Sequence, residues 1–303
     1  MIRTLGLGMG AVGLGVLLAA GCRDAAGPVP VLSYHRAVYS VLEVESSLVR
    51  VLAEELLDSG GRPLRGAQGA VTGEYGSAPL TEAALGLSPC FAVDAPGLGP
   101  GDGGCYAGLL PQPAGASETL TLDLVLADGG EVRGALVTPE PPLASIPPDS
   151  QRVSVAFQAL PIDALPIAIV PIVLEAAPGA ERVDVVTTVE QAFRGGGGEM
   201  IDPAGCEVQA SAAPFRWPQL QGQHDLYLYQ VTCRPSGSVI PWDSLDLAVH
   251  VISMERNYAM YMERVLGSSS IDATRAGFGI EGAVGVFGAV ATTILPLRVV
   301  FEP

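Results

Sequence analysis

Apolar and polar residues alternate with a period of two along much of this chain, a pattern typical of β-strands that bury one face. The clearest alternation covers residues 119–126, Thr-Leu-Thr-Leu-Asp-Leu-Val-Leu. Residues 128–130, Asp-Gly-Gly, tolerate the positive φ angles of a tight turn, and residues 131–137 return with further apolar positions. The pattern therefore predicts a β-hairpin over residues 119–138.

Another strand is predicted over residues 224–233, in the second half of the chain. Its alternation places Leu226 and Leu228 on one face and Tyr227 and Tyr229 on the opposite face. We expect the leucines to face a core. We favour core packing for the tyrosines as well, because a strand that is covered on both sides buries both of its faces.

One segment near the end of the chain has helical spacing instead. Ser253 is its expected N-cap and Gly267 is expected at the C′ position, so the predicted amphipathic helix covers about residues 254–266. Its apolar stripe consists of Met254, Tyr258, Tyr261, Met262 and Val265.

A dense run of prolines divides the chain at residues 139–148. Prolines at this density cannot continue a central strand or a helix, so we place a domain boundary near residue 148. The sequence thus predicts an all-β protein of two β-sandwich-like domains, 38–148 and 149–303, with the helix in the second. We expect residues 282–301 to form two β segments that complete the second sandwich.

The chain begins with a positive residue, Arg3, and a short apolar run over residues 5–20. This run is too short and too rich in glycine for a membrane-spanning helix, which needs about 20 apolar residues. Small residues then lead into Cys22, an order that resembles the lipobox of bacterial lipoprotein precursors. The resemblance implies that residues 1–21 are a signal peptide, that Cys22 carries a lipid anchor in the membrane, and that residues 22–37 form a tether. An ordinary secretory signal, the alternative, would leave Cys22 as a free thiol.

The chain is acidic, with 32 Asp and Glu residues against 16 Arg residues and no Lys, for a formal net charge of −16. Such a surface repels nucleic acid, so we expect no nucleic-acid partner. Apolar residues make up 49% of the sequence, which is enough for a sizeable core. The charge is compatible with a basic partner and with plain solubility of an exported protein.

Four cysteines remain once Cys22 is set aside, and an even number in an oxidising compartment predicts disulfides. Of the three pairings, closeness in sequence favours Cys90–Cys105 and Cys206–Cys233. A zinc site is the competing interpretation, but the chain has no Cys-x-x-Cys spacing and no histidine at ligand spacing from these cysteines. We therefore predict no metal site.

No segment matches a known catalytic motif, since Gly-x-Ser-x-Gly, His-Glu-x-x-His and the phosphate-binding loop are all missing. The histidines, His35, His224 and His250, are far apart in sequence, and Asp102 lies in a glycine-rich loop that occurs once. We expect neither a shared histidine site nor a calcium site. The sequence therefore predicts no catalytic residue and no cofactor.

Two tryptophans, Trp217 and Trp242, lie in proline-rich segments. Exposed aromatic residues can stack on sugar rings or anchor a protein interface, whereas buried ones would close the ends of a core. Core packing is the interpretation we favour for both tryptophans. Together with Tyr227 and Tyr229 they remain the candidate binding-face aromatics of this chain.

Residues 60–72 combine a glycine turn, Pro-Leu-x-Gly-Ala and a strand, which resembles the start of transthyretin-like and carboxypeptidase-regulatory-like β-sandwiches in bacterial envelope proteins. Residues 257–261 and 279–289 resemble a family of uncharacterised surface lipoproteins, often encoded beside TonB-dependent receptors. Ala283 stands where that family usually has a second glycine. The resemblance implies an accessory or binding role at the outer membrane, and it carries over no catalytic residues.

We therefore expect a non-enzymatic, lipid-anchored cell-envelope protein that acts as an accessory or ligand-binding component of an outer-membrane complex, with an outer-membrane receptor as partner. Arg23, rather than Asp, follows the lipidated cysteine and by analogy favours the outer membrane. Two alternatives stay open. A hydrolase acting on glycan or peptide would need acidic or histidine groups that converge in a cleft, and a purely structural module would show no cleft and no exposed aromatic cluster.

Overall fold

The computed structural model describes residues 36–57, 60–83, 104–156, 166–194, 199–201, 206–216, 219–233, 242–267 and 276–302. Within these ranges the chain forms twenty β-strands, one α-helix and a 3-10 turn at Pro148–Ser150, so the predicted all-β class is confirmed. The helix is α1 (Arg256–Gly267), and the strands are β1 (Arg36–Glu43), β2 (Leu48–Leu57), β3 (Gly60–Pro63), β4 (Gln68–Gly73), β5 (Gly76–Glu82), β6 (Cys105–Leu109), β7 (Thr119–Val125), β8 (Glu131–Val137), β9 (Leu143–Ser145), β10 (Arg152–Ala156), β11 (Ala168–Ala176), β12 (Arg182–Arg194), β13 (Glu199–Ile201), β14 (Cys206–Ala212), β15 (Phe215–Arg216), β16 (Gly222–Cys233), β17 (Trp242–Met254), β18 (Gly277–Phe278), β19 (Ile280–Glu281) and β20 (Val284–Glu302).

The predicted hairpin is confirmed by β7 and β8, which pair antiparallel along their whole lengths. Gly129, in the turn between them, has φ 82°, a conformation that glycine adopts without steric cost. Leu120, Leu122 and Leu124 alternate with polar residues along β7 and are buried. The alternation of apolar and polar residues therefore predicts correctly which face of this hairpin is buried.

The strands of the first half enclose one hydrophobic core. With β19 and β20 from the end of the chain, these strands have the sheet order β20-β1-β2-β6-β5-β4-β7-β8-β19. Only two residues separate β19 from β20, so the last strand of this order lies next in sequence to the first. β8 meets β20 where Gly134 lies against Phe287, and a Cβ on this glycine would be 2.9 Å from the phenylalanine ring. The bulkiest residues of this core include Tyr106, Leu120, Leu122, Leu124 and Phe287.

The long strand β20 pairs with strands from both halves of the chain. Its residues 284–290 pair in parallel with β1, residues 290–300 pair antiparallel with β17, and residues 298–302 pair in parallel with β10. The prediction of two β segments near the end of the chain is therefore wrong. Pro296 does not interrupt the strand, because the register with β17 continues past it without a shift.

A second core lies between two layers of strands in the second half. One layer contains β12, β17, β20 and β10, and the other has the order β14-β16-β11-β9. Leu226 and Leu228 of β16 point into this core and are fully buried, as the alternation predicts. The division into two domains with a boundary near residue 148 stays a prediction.

The helix α1 covers the outer face of β20 and β1, where its aromatic residues pack beside Val286. The predicted N-cap is wrong, because Ser253 belongs to β17 and is buried in its pairing with β20. The cap is Glu255, whose carboxylate accepts hydrogen bonds of 2.7 Å from the backbone N–H groups of Asn257 and Tyr258. No helix in the described ranges has the length and apolar character to cross a membrane.

Candidate functional site

The predicted lipidation residue, Cys22, and the predicted disulfide residue, Cys90, lie outside the described residues. Cys105 is buried and disulfide-bonded. Cys206 and Cys233 lie opposite each other in the register of β14 and β16, an arrangement compatible with the pairing expected for them. Both disulfide pairings, and the lipidation, stay predictions.

Two of the four candidate aromatics lie together on the outer face of the smaller sheet. The rings of Tyr227 and Tyr229 have centroids 6.4 Å apart, and both side chains are partly exposed. Ile169 of β11 lies opposite Tyr227 and is exposed as well. Trp217 lies outside the described residues, and only the backbone of Trp242 is described. A binding role for these aromatics therefore stays a prediction.

The two described histidines lie on different strands and in different surroundings. The ring of His224 stacks on Phe215 with centroids 3.7 Å apart, and its Nε2 is buried without a hydrogen-bond partner. His250 is hydrogen-bonded through Nε2 to the hydroxyl of Thr188 at 3.0 Å. His35 and Asp102 lie outside the described residues, and the described part of the chain holds no group of three or more His, Cys, Asp and Glu residues that could bind a metal ion.

A groove of about 580 Å³ lies on the outer face of β12, β17 and β20. Its volume falls in the range of ligand sites in proteins. The groove runs across three strands that are far apart in sequence, and the register of these strands brings its residues together. Its lining includes Glu190, Asp246, Ala248, Ile294, Pro296 and Arg298.

Ile294 and Pro296 of β20 form the apolar wall of this groove. Residues of β20 alternate between the core and the outer face, and Ile294 points outward with 60% of its surface exposed. Val186 of β12 is exposed in the same row, because both residues pair with His250 of the middle strand. Ile294 and Val186 thus place two large apolar side chains on one open face of the sheet.

Glu190 forms the acidic wall of the groove, because it is the extra residue of a β-bulge. Val189 lies opposite Leu247, whereas Gln191 already lies opposite Asp246, so Glu190 has no partner position on β17. A bulge redirects the side chain of the extra residue, and here it brings an exposed carboxylate to the groove beside Asp246.

Among the described residues that line the groove, only Arg298 carries a guanidinium. Its Nε lies 3.6 Å from the carboxylate of Asp246, its Nη2 donates a 3.1 Å hydrogen bond to the hydroxyl of Ser244, and its Cζ lies 5.2 Å from the ring centroid of Phe193. These contacts on three sides hold the arginine at one end of the groove. The groove thus offers an apolar wall, two carboxylates and one fixed cation.

The sequence pattern does not reveal this groove. Residues 294–299, Ile-Leu-Pro-Leu-Arg-Val, resemble a buried strand, and nothing in them marks Ile294 as exposed. The bulge at Glu190 also has no local signal, since residues 185–193 have no glycine or proline. The groove arises only from the register of β12, β17 and β20, which joins segments about 50 residues or more apart.

Residues 257–261 and residues 279–289 meet at one place in the structure. The side-chain amide of Asn257 donates hydrogen bonds to the backbone oxygens of Ala135 (3.1 Å) and Phe287 (3.2 Å). Gly279 has φ 64°, and a Cβ at this position would overlap the Asn257 amide. These segments therefore build a junction between α1, β8 and β20.

Glu255 gives this junction a titratable group. Its side chain is buried, and a Cβ on Gly288 would lie 2.9 Å from its Oε1, so only glycine leaves room for the carboxylate. Burial raises the pKa of Glu255 to about 7, and the hydrogen bonds from the backbone of Asn257, Tyr258 and Ala289 oppose this rise. The carboxyl group therefore changes its charge near neutral pH.

No family model matches this chain, and no curated protein matches it either. The resemblance to surface lipoproteins encoded beside TonB-dependent receptors accordingly stays a prediction. The amino-terminal sequence and the groove between β12, β17 and β20 are the features of this protein that bear on its function.

Proposed function

We propose that this protein is a non-enzymatic component of the bacterial cell envelope, held on the outer membrane by a lipid on Cys22. In this proposal it binds a partner protein of an outer-membrane complex through the groove on β12, β17 and β20. The observation that carries the proposal is the wall of this groove, where Ile294 is a large apolar residue on an open sheet face.

The exposure of Ile294 is not required for folding. The core of the second half is supplied by the opposite face of β20, where Leu295, Leu297 and Val299 are buried. An apolar side chain on the outer face gains nothing from this core, and a protein partner would remove it from water. The position therefore supports a binding role better than a purely structural one.

The charges of the groove indicate the character of the partner. Glu190 and Asp246 contribute two carboxylates against the one guanidinium of Arg298, and the whole chain has a formal net charge of −16. A basic protein surface would be attracted to this chain, and an acidic partner or nucleic acid would be repelled.

The lipid anchor is tested by Cys22→Ser, which removes the sulfur that would carry the lipid. We expect this variant to lose the lipid mass and to move from the membrane fraction to the soluble fraction, measured by mass spectrometry and by fractionation of the envelope. Ser211→Ala is the matched control, because Ser211 is exposed and the variant keeps Cys22, so it should stay with the membrane. A Cys22→Ser protein that remains membrane-bound would contradict the proposed location.

The binding role is tested by affinity purification of the lipidated protein from its native envelope. We expect an outer-membrane receptor to be recovered with the wild type, and at least tenfold less of it with Ile294→Glu, which places a charge in the apolar wall. Val125→Glu is the matched control, since Val125 is an exposed apolar residue of β7, far from the groove in the sheet order. Equal recovery with both variants would exclude the groove, and no recovery with the wild type would count against the proposal.

A further inference from the structure

One edge of β20 has strand partners at its two ends only. On this edge β1 pairs with residues 284–290 and β10 pairs with residues 298–302. The opposite edge pairs with β18 and β17. Among the residues that the structure describes, no strand pairs with the first edge between residues 291 and 297. We call this open stretch of edge the slot.

The backbone groups that face the slot follow from two hydrogen bonds at its ends. The oxygen of Val290 accepts a 2.9 Å hydrogen bond from the N–H of Val44, which follows β1. The N–H of Arg298 donates a 2.8 Å hydrogen bond to the oxygen of Gln151, which precedes β10. Both even-numbered residues therefore point their N–H and C=O groups to this edge of β20.

The same alternation holds between these two residues, because the register with β17 shows no shift from residue 290 to residue 300. Thr292 and Ile294 accordingly point their N–H and C=O groups into the slot, and Pro296 points its C=O there. The missing N–H of Pro296 costs β17 no hydrogen bond for this reason. Edge positions whose N–H would face away from a partner strand are among the few places in a sheet that accept proline.

The slot has the length of one extended segment. Eight residue steps separate Val290 from Arg298, which corresponds to about 26 Å at the rise of a β-strand. On the inner side the hydroxyl of Thr293 donates a 2.7 Å hydrogen bond to the backbone oxygen of Pro142. The proline-rich segment of residues 139–148 therefore closes that side of the slot. On the outer side the slot continues into the groove, whose wall is Ile294 and Pro296.

The two ends of the slot have opposite charges. Glu43 lies opposite Val290 at the β1 end, and Glu45 follows it; both are exposed. Arg152 lies opposite Arg298 at the β10 end, and both are exposed. A segment with a basic residue at one end and a carboxylate at the other would complement this arrangement.

We propose that the slot binds one extended segment of a partner protein, of about five to seven residues, which adds to β20 as a strand between β1 and β10. The segment has alternating apolar side chains, a basic residue beside Glu43 and Glu45, and an acidic residue beside Arg152. Main-chain hydrogen bonds to Thr292, Ile294 and Pro296 hold it, as in other cases of strand addition. This inference rests on the proposed partner-binding function and specifies the chemistry of that partner.

A second copy of this chain fits the slot less well. β1 and β10 lie in the same layer at both ends, so the broad sheet edge of another copy would collide with them, whereas a single extended segment would not. The formal net charge of −16 also makes two copies repel each other. The occupant we assign is therefore a segment of a different protein.

The first test uses two end-blocked peptides, Arg-Val-Thr-Val-Thr-Val-Asp and its reverse, titrated into the purified mature protein by calorimetry. We expect one of them to bind the wild type and Ile294→Val with affinities within threefold of each other. Ile294→Pro removes one N–H that faces the slot and none that faces β17, so it should bind at least tenfold more weakly while it stays folded by circular dichroism. Absence of binding by both peptides, or equal binding to Ile294→Pro, would overturn the inference.

The second test needs no variant and measures amide hydrogen exchange by NMR. In the free protein we expect the amides of Thr292 and Ile294 to exchange faster than those of Thr293 and Leu295, which face β17. The bound peptide should slow the exchange of Thr292 and Ile294. If these two amides are already protected in the free protein, the chain itself fills the slot and the inference is wrong.

The two proposals fail in different ways. If Ile294→Pro recovers the receptor from the envelope as well as the wild type does, the slot is wrong and the proposed function stands. If the peptides bind in the expected manner but no receptor is recovered from the envelope, strand addition at the slot is supported. The proposal that the partner is an outer-membrane receptor is then contradicted.

Discussion

Phe287→Ala is expected to lower the free energy of unfolding by about 3–5 kcal/mol, the usual cost of removing a buried phenylalanine ring. The ring is 0% exposed and fills the place where β8 returns to β20. Gly134 faces it without a side chain, so no neighbour there can move in to fill the cavity. Equilibrium unfolding of the purified mature protein in urea measures the effect.

Ile294→Ala is the matched control for this substitution. Ile294 lies on the same strand but is 60% exposed on the outer face, so its truncation should change the free energy of unfolding by no more than about 0.5 kcal/mol. A loss below about 1 kcal/mol for Phe287→Ala would contradict the position of the ring in the core.

The second large effect is a loss of stability as the pH rises from about 4.5 to about 7. Burial raises the pKa of Glu255 from 4.5 to about 7, so in this range the folded protein holds a proton that the unfolded chain has released. The free energy of unfolding is therefore highest below pH 4.5 as far as this group is concerned, and it falls as the pH rises. A shift of this size corresponds to about 3 kcal/mol in total, of which about 2.5 kcal/mol should be lost between pH 5 and pH 8, measured by urea unfolding at these two values.

Glu255→Gln removes the titration, so its stability should depend less on pH than that of the wild type by about 2–3 kcal/mol over this range. Glu281→Gln is the matched control, because Glu281 is exposed, and it should keep the wild-type dependence. Burial also raises the pKa of Glu54, so a residual dependence of the same sign should persist in both variants. An unchanged dependence in Glu255→Gln would show that this carboxyl group is not the source.

Local patterns predict those elements of the fold whose residues report one buried face. The alternation over β7 and β8, with Gly129 in the turn, predicts the hairpin correctly. The alternation over β16 places Leu226 and Leu228 in the core and both tyrosines on the other face. In these strands the pattern succeeds because neighbouring residues on one strand face opposite sides.

The start of α1 shows where local signals fail. Ser253 is a good N-cap by its residue type, but β17 continues through it because β20 offers a strand partner as far as Met254. The helix begins only after the pairing ends, and Glu255 then caps it. The competition between pairing with a distant strand and capping a nearby helix is decided by the tertiary structure.

The candidate site shows the same limit. The closeness of Tyr227 and Tyr229 is readable from their spacing, and their rings lie 6.4 Å apart. The sequence does not predict the groove or the slot. Glu190, Asp246 and Ile294 come from three strands, and no local pattern specifies the register of these strands.

The sequence by itself determined the all-β class, the hairpin, the presence of one late helix, the acidic surface and the expectation of a lipid anchor at Cys22. Each of these depends on composition or on residues close together in the chain. Only the tertiary structure decided that β20 is a single strand shared by both cores, that Ile294 faces solvent, and that one edge of β20 is open between β1 and β10. The physical reason is that strand register and neighbour order arise from packing between segments far apart in sequence, where local preferences carry little information.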